Sequence, residues 1–198
     1  MANISPEDIN KLLPQTQCRL CTYNGCLPYA EAIVNQGEQT NLCQPGGIDV
    51  YTNIQATIHK PKSNTAIEHI RTYDSKPHIV SINLDECIGC TKCLPACPVD
   101  AISGAPKATH HIIEQACTGC DLCIPTCPVD CITIKPSNQL PDRNFLLTQY
   151  QKKEAREAEK VAQKKEKLDT VINKLPNNSN DIIAQALERA RKKRFQHE

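Results

Sequence analysis

Twelve of the thirteen cysteines in this 198-residue chain fall into three groups of four, at spacings that suit metal ligation. Two groups read C-x2-C-x2-C-x3-C-P. The first is Cys87, Cys90, Cys93 and Cys97 before Pro98; the second, thirty residues on, is Cys117, Cys120, Cys123 and Cys127 before Pro128. Runs of this kind hold iron–sulfur cubanes, three thiolates on one cluster and the fourth on its neighbour. That rule assigns one cluster to Cys87, Cys90, Cys93 and Cys127, and another to Cys117, Cys120, Cys123 and Cys97. Each proline fixes its own backbone and biases the fourth cysteine toward an extended conformation. The third group, Cys18, Cys21, Cys26 and Cys43, reads C-x2-C-x4-C-x16-C and runs into Gln44-Pro45-Gly46-Gly47. Four cysteines with one close pair suit a cluster or a structural zinc. The last two ligands stand apart, unlike the two-pair zinc pattern, so the spacing favours a cluster and leaves zinc as the alternative.

The two runs are an internal repeat: residues 87–103 and 117–133 are identical at ten of seventeen positions. The repeat sets Cys131 opposite Ala101, which marks the thirteenth cysteine as a buried, inert thiol. Short strands are expected at His78–Ile82, Ala101–Ser103, His110–Ile113 and Ile132–Ile134, with one-turn helices after Cys93 and Cys123. His110 and His111, adjacent on a strand, point to opposite faces and read as ordinary strand histidines rather than a metal pair. Gly89 and Gly119 should let backbone N–H groups approach the sulfurs. Ile88, Leu94, Ile124, Val99 and Val129 should shield the clusters from water. Residues 78–135 thus form a bacterial 2[4Fe-4S] ferredoxin-like domain of short strands and helices, within an α+β chain.

The rest of the chain is organised around these sites. A polar lead (1–17) with a helical turn at Pro6–Leu13 precedes the four-cysteine module (18–47), which holds a short helix over Pro28–Val34. A connector (48–77) follows, with a helix near Ile48–Ile58. Beyond the ferredoxin domain, residues 140–198 read as a charged helical tail. One long helix spans 145–175, residues 176–180 break it, and a second helix capped by Asn180 or Asp181 runs to about Phe195. With 39% apolar residues, two Phe and no Trp, the core is thin, and metal binding must supply much of the folding energy. The odd cysteine number and the absence of a signal-like start point to a reducing compartment. No apolar run approaches the roughly 18 residues of a membrane span.

Charge is unevenly spread. Residues 1–139 carry 9 Lys and Arg against 13 Asp and Glu, net −4, and residues 140–198 carry 14 against 9, net +5. A 2+ cubane with four thiolates adds −2, so three such sites would take the head to −10. The basic run Arg189, Arg191, Lys192, Lys193 and Arg194 suits a helix C-terminus, or docking on an acidic partner or anionic lipid. Interleaved acids and scarce aromatic residues argue against nucleic acid.

Several stretches resemble the B subunit of the Rnf-type electron transport complex, also called Rsx. They are Asn24-Gly25-Cys26 with Pro28-Tyr29-Ala30-Glu31-Ala32-Ile33, then Cys43 with Pro45-Gly46-Gly47, then Cys87 to Cys93 leading into Cys97-Pro98-Val99-Asp100-Ala101-Ile102. Cys117-Thr118-Gly119-Cys120 and Cys127-Pro128 with Cys131-Ile132 complete the match, which covers about residues 15–135. The resemblance implies a [4Fe-4S] cluster on Cys18, Cys21, Cys26 and Cys43, and so three [4Fe-4S] clusters in all. It implies low-potential electron transfer, redox-protein partners and other subunits of a membrane complex. Two departures stand out. Family members usually carry glycine within the first C-x2-C, where this chain has Arg19-Leu20, and they typically begin with a membrane-spanning helix, where this chain has the polar lead. The expected location is therefore the cytoplasm, or the cytoplasmic face of the inner membrane as a peripheral protein.

The reading is of an electron-transfer protein, a carrier or an oxidoreductase subunit rather than a stand-alone enzyme, with no catalytic residues of its own. Its rivals are a cluster-containing subunit of another soluble oxidoreductase, and a metal-stabilised structural or sensor protein with zinc in the first group. A cluster-catalytic enzyme fits poorly, since both runs are complete and no G-x-G-x-x-G is present.

Overall fold

The computed structural model describes residues 4–71, 77–137 and 141–173. It divides into two compact units, residues 1–153 and 154–198.

The first unit opens with helix α1 (Pro6–Asn10). Ser5 caps it reciprocally: the Ser5 hydroxyl accepts from Asp8 N, the Asp8 carboxylate accepts from Ser5 N, and proline opens the first turn. Helix α2 (Cys26–Gln36) starts on a cysteine and ends at Gly37, whose φ of 70° gives the left-handed cap. Helices α3 (Gly47–Thr57) and α4 (Asn64–Arg71) follow. Ile9, Leu13, Tyr29, Ile33, Val50 and Ile54 form one small core beneath α1, α2 and α3. Tyr29 is sealed into it, with its hydroxyl donating to Gln39 O at 2.7 Å and accepting from Leu42 N at 3.2 Å. The expected helices are present here, and α4 adds one that the connector's weak pattern does not announce.

The second core belongs to two small antiparallel sheets. Strand β1 (His78–Ile82) pairs with β4 (Ile132–Pro136), Val80 opposite Ile134; β2 (Ile102–Ser103) pairs with β3 (His111–Ile112). The pairing crosses the repeat. The strand leading into the first cysteine run is joined to the strand leaving the second, and the strand leaving the first run to the strand leading into the second. A one-turn helix α5 (Cys93–Ala96) and a 3₁₀ turn at Ile124–Thr126 follow the third cysteine of each run. The expected strands all appear, with 101, 110 and 113 outside the ladders.

Helix α6 (Arg143–Asn173) starts within the first unit. Arg143 donates to Lys11 O at 3.2 Å, Leu146 is buried, and Tyr150 packs on the ferredoxin core. The first unit therefore extends to Lys153, past residue 140 where the composition changes. Ending the chain at 139 removes Leu146, whose burial stabilises by about 2 kcal/mol, so melting should fall by about 4–8 °C for a chain this size. Scanning calorimetry of chains ending at 139 and at 153 checks this. An unchanged melting temperature for the shorter chain would show that the helix start adds nothing to the head.

In the second unit, the described residues 154–172 present their side chains to solvent, Val161, Leu168, Val171 and Ile172 included. The second tail helix expected up to Phe195, and its Arg and Lys run, lie outside the described residues.

Candidate metal centres

Three small cavities of equal size, about 10 Å³ each, are lined by cysteines, four apiece in the first two and five in the third, where Cys131 joins the four of the motif. Cys18, Cys21, Cys26 and Cys43 surround the first. Cys97, Cys117, Cys120 and Cys123 surround the second, and Cys87, Cys90, Cys93 and Cys127 the third. The fourth cysteine of each run thus stands in the other run's cavity. Within each group the thiols enclose a space instead of meeting at a point. Among the described residues, no three His, Cys, Asp or Glu side chains converge as a single metal ion requires.

The loops that position these thiols repeat in backbone as well as in sequence. Gly89 and Gly119 have φ of 65° and 64°, Thr91 and Asp121 of 62° and 59°, Asp100 and Asp130 of 53° and 51°. Two non-glycine residues per run in the left-handed region are strain that only a tightly specified loop retains. Cys97 and Cys127 are extended, with ψ of 118° in both, as a residue before proline should be. Ala101 N donates to Cys97 Sγ at 3.2 Å, one of the N–H groups aimed at sulfur. In the first module Arg19 has a φ of 63°, which explains why glycine suits that position. An arginine there costs about 1–2 kcal/mol. Gln17 organises this loop, its side-chain oxygen accepting from Cys26 N at 2.8 Å.

Electrostatics fit an anion-holding role poorly and a cation-centred one well. Burial pushes the Cys26 thiol up to about 12, Cys123 to about 12 and Cys120 to about 11, and raises Cys21, Cys43, Cys93 and Cys97. Neighbouring thiolates add to the rise in each of these groups. Four thiolates can share such a place only around positive charge, which an iron–sulfur core provides. Donor set, cavity and charge therefore suit such a group.

Cys131 is buried with its Sγ 3.4 Å from Cys127 Sγ. Burial, then the hydrogen bond and charge of Cys127, push it up to about 12, while Cys127 itself, despite burial, is held below the usual thiol range by surrounding N–H groups and the Cys131 thiol. Ala101 occupies the matching place in the second cavity. Cys131→Ala should therefore keep its full iron content, checked by iron analysis of the purified variant. Loss of about a third of the iron would make Cys131 a necessary part of the site.

Two shielding expectations are corrected. Val99 is 2% exposed and Leu94 and Ile124 are partly buried, but Ile88 is 59% exposed and Val129 37%. Both line the third cavity on its open side. Their counterparts in the repeat, Thr118 and Val99, are buried, Val99 in the ferredoxin core and Thr118 beneath the lead, its Oγ1 donating to Thr16 O at 3.0 Å. The repeat alone could not show which half is covered.

Sequence reasoning missed two residues. Lys153 on α6 is 5% exposed and donates to Pro95 O at 3.0 Å and to Cys97 O, with Asp100 Oδ1 4.0 Å away. Nothing in a lysine-rich helix singles it out. His110, read as an ordinary strand histidine, is buried against the third cavity.

Residues 80–134 match a family described as a 4Fe-4S dicluster domain, and residues 13–45 one described as a putative Fe-S cluster. Curated relatives carry the same order. The B subunit of the ion-translocating oxidoreductase complex from Buchnera aphidicola subsp. Acyrthosiphon pisum (strain Tuc7) is 47% identical over 111 residues, 55% of this chain and 65% of its own length. This is the family that the cysteine motifs resemble. The Vibrio campbellii B subunit is 52% identical over 112 residues, 54% of this chain and 53% of its own, and that of Pasteurella multocida 52% over 107 residues, 54% and 52%. The chain spans between about half and two thirds of the length of these relatives. Among the described residues, no helix is long and apolar enough to cross a membrane.

Proposed function

We propose that this chain is an electron-transfer protein with three [4Fe-4S] clusters, working as a subunit of, or carrier for, an ion-translocating oxidoreductase complex like those of its relatives. A 2[4Fe-4S] ferredoxin domain holds two clusters, on the crossed ligand sets Cys87, Cys90, Cys93, Cys127 and Cys117, Cys120, Cys123, Cys97. The module of residues 18–47 holds the third on Cys18, Cys21, Cys26 and Cys43. When bound, such a cluster takes up and gives back one electron at a time.

The observation that carries this reading is the equality of the three cavities. A zinc ion would draw its four sulfurs to about 2.3 Å and leave no enclosed space. The first module instead keeps an enclosed space of the same small size, about 10 Å³, as the two in the dicluster domain. Lys153 stands beside the second-run site, its ammonium donating to the carbonyls of Pro95 and Cys97, where a cation favours a site of net negative charge.

The residues between the cavities set an order. Thr16 lines the first cavity and Thr118 the second, and a hydrogen bond joins them. The second and third are tied by Cys97 and Cys127. Electrons would therefore pass between the first module and the first-run site through the covered second-run site, and a redox partner would be met where Ile88 and Val129 reach solvent.

The deciding measurement is iron and sulfide content with low-temperature EPR of anaerobically purified, dithionite-reduced protein. About twelve iron and twelve sulfide per chain are expected. Eight iron with one zinc would leave the dicluster domain standing and overturn the three-cluster reading.

A further inference from the structure

The second-run and first-run cavities are built largely from residues thirty positions apart, and one of the unlike pairs sets a ring nitrogen against an apolar side chain. Ile112 lines one as Ile82 lines the other, and Ile102 answers to Ile132. Where Val80 lines the second-run cavity, its counterpart in the first-run cavity is His110. An imidazole stands in place of an apolar side chain, seven residues before a cysteine run in both halves. His110 is 1% exposed, and a buried polar ring costs free energy unless it is bonded.

Its bonding partners are the cluster ligands. His110 Nδ1 lies 3.5 Å from Cys93 Sγ and 3.8 Å from Cys87 Sγ, and its backbone N–H donates to Cys87 Sγ at 3.4 Å. The other ring nitrogen, Nε2, is buried with no hydrogen-bond partner among the described residues. A metal-bound thiolate has no proton and can only accept. The nitrogen facing the sulfurs must therefore carry the ring proton, which leaves Nε2 bare and avoids a buried, unsatisfied N–H. Space for the ring is reserved as well. A Cβ on Gly104 would fall 1.9 Å from His110 Cδ2, and the counterpart of Gly104 in the other half is Ile134. Gly104 is not in the left-handed region, so the ring, not the backbone, calls for glycine there.

We propose that His110 is a positioning residue for electron transfer, donating an Nδ1–H hydrogen bond to the thiolates of Cys93 and Cys87 and so raising the reduction potential of the first-run site. The inference rests on the iron–sulfur reading of that site. Reduction adds one electron and one negative charge to the cluster with its thiolates, from a one-electron donor such as dithionite. No bond forms or breaks, and the ring keeps its proton. A donor aimed at sulfur stabilises the more negative form more, which raises the potential. Val80 gives the second-run site no such donor at this position, so His110 is one of the side chains that set two sites of matching ligands apart.

The test is an EPR-monitored redox titration of the full chain as isolated, as His110→Val and as His110→Gln, with iron content measured on each. Pulsed EPR of reduced wild-type protein carrying histidine labelled with ¹⁵N in the ring alone accompanies it, since the His110 backbone N–H also faces Cys87 Sγ. The valine variant copies the second half. It should keep its iron and lower one of three potentials by at least a tenfold change in the one-electron equilibrium constant, about 59 mV, with the other two unmoved. Glutamine, which retains an N–H, should recover part of the shift. The wild-type protein should show a histidine nitrogen coupled to a reduced cluster, and His110→Val should lose it. Full iron with all potentials unchanged overturns the proposal, as does the absence of that coupling in the wild-type spectrum. The spectrum decides even if both variants fail to assemble the site. Wild-type protein lacking first-run iron would instead overturn the proposed function, a separate and visible failure.

Discussion

Gly119→Ala is expected to strip the second-run site of iron, while Gly37→Ala leaves the protein fully loaded. The two glycines have similar left-handed backbones, φ of 64° and 70°, so both substitutions carry the same conformational cost of about 1 kcal/mol. Their surroundings differ. A Cβ on Gly119 would fall 2.2 Å from the carbonyl oxygen of His78, and one on Gly37 meets nothing within 4 Å. The oxygen belongs to the first residue of β1, which its ladder to β4 holds in place, so the cysteine loop must give way. Iron per chain should drop by about a third in Gly119→Ala, with visible absorbance falling in proportion. Full iron in that variant would mean that the loop can shift without losing its ligand geometry.

Cys97→Ala should cost the site formed by Cys117, Cys120 and Cys123, and spare the site of the run in which Cys97 itself lies. The thiol lines the second-run cavity, and the carbonyl of Cys97 is held by Lys153. About eight of twelve iron should remain, with the first module and first-run site giving unchanged EPR signals. His110 supplies the marker: its nitrogen coupling should survive Cys97→Ala and vanish in Cys127→Ala. The opposite pattern would mean that each run keeps its own fourth ligand.

Much of this arrangement could be read from spacing because the ligands are local. Three of the four motif cysteines around each ferredoxin cavity lie within seven residues, and the repeat carries its conformation with it, down to paired left-handed backbones at Thr91 and Asp121. The strands were legible for a similar reason, since apolar positions flank each run at fixed offsets. What the sequence hid depends on contacts between distant segments. Thr118 and Ile88 occupy equivalent places, yet one is covered by Thr16 and the other is open to solvent. Lys153 sits in a helix whose charged pattern reads as solvated throughout. His110 looked ordinary because strand alternation says which face a residue takes, and not what fills that face. A comparison of His110 with Val80, and of Gly104 with Ile134, was available from the repeat and would have flagged the site.

The crossing of ligands and strands also bears on how the chain is made. As it leaves the ribosome, the first module has all four thiols once Cys43 has emerged, and can mature early. On the crossed ligand sets proposed above, neither ferredoxin site can do so. Although the first run is complete at Cys97, its site waits for Cys127, and the second-run site, with Cys97 long since made, waits for Cys123. The two sites therefore become completable within four residues of each other, and β1 has no partner until Ile132 arrives. For the nineteen residues between the runs, 98–116, four exposed thiols must be kept reduced and unoccupied by the wrong metal. A nascent chain stalled in that window would be the form most open to oxidation.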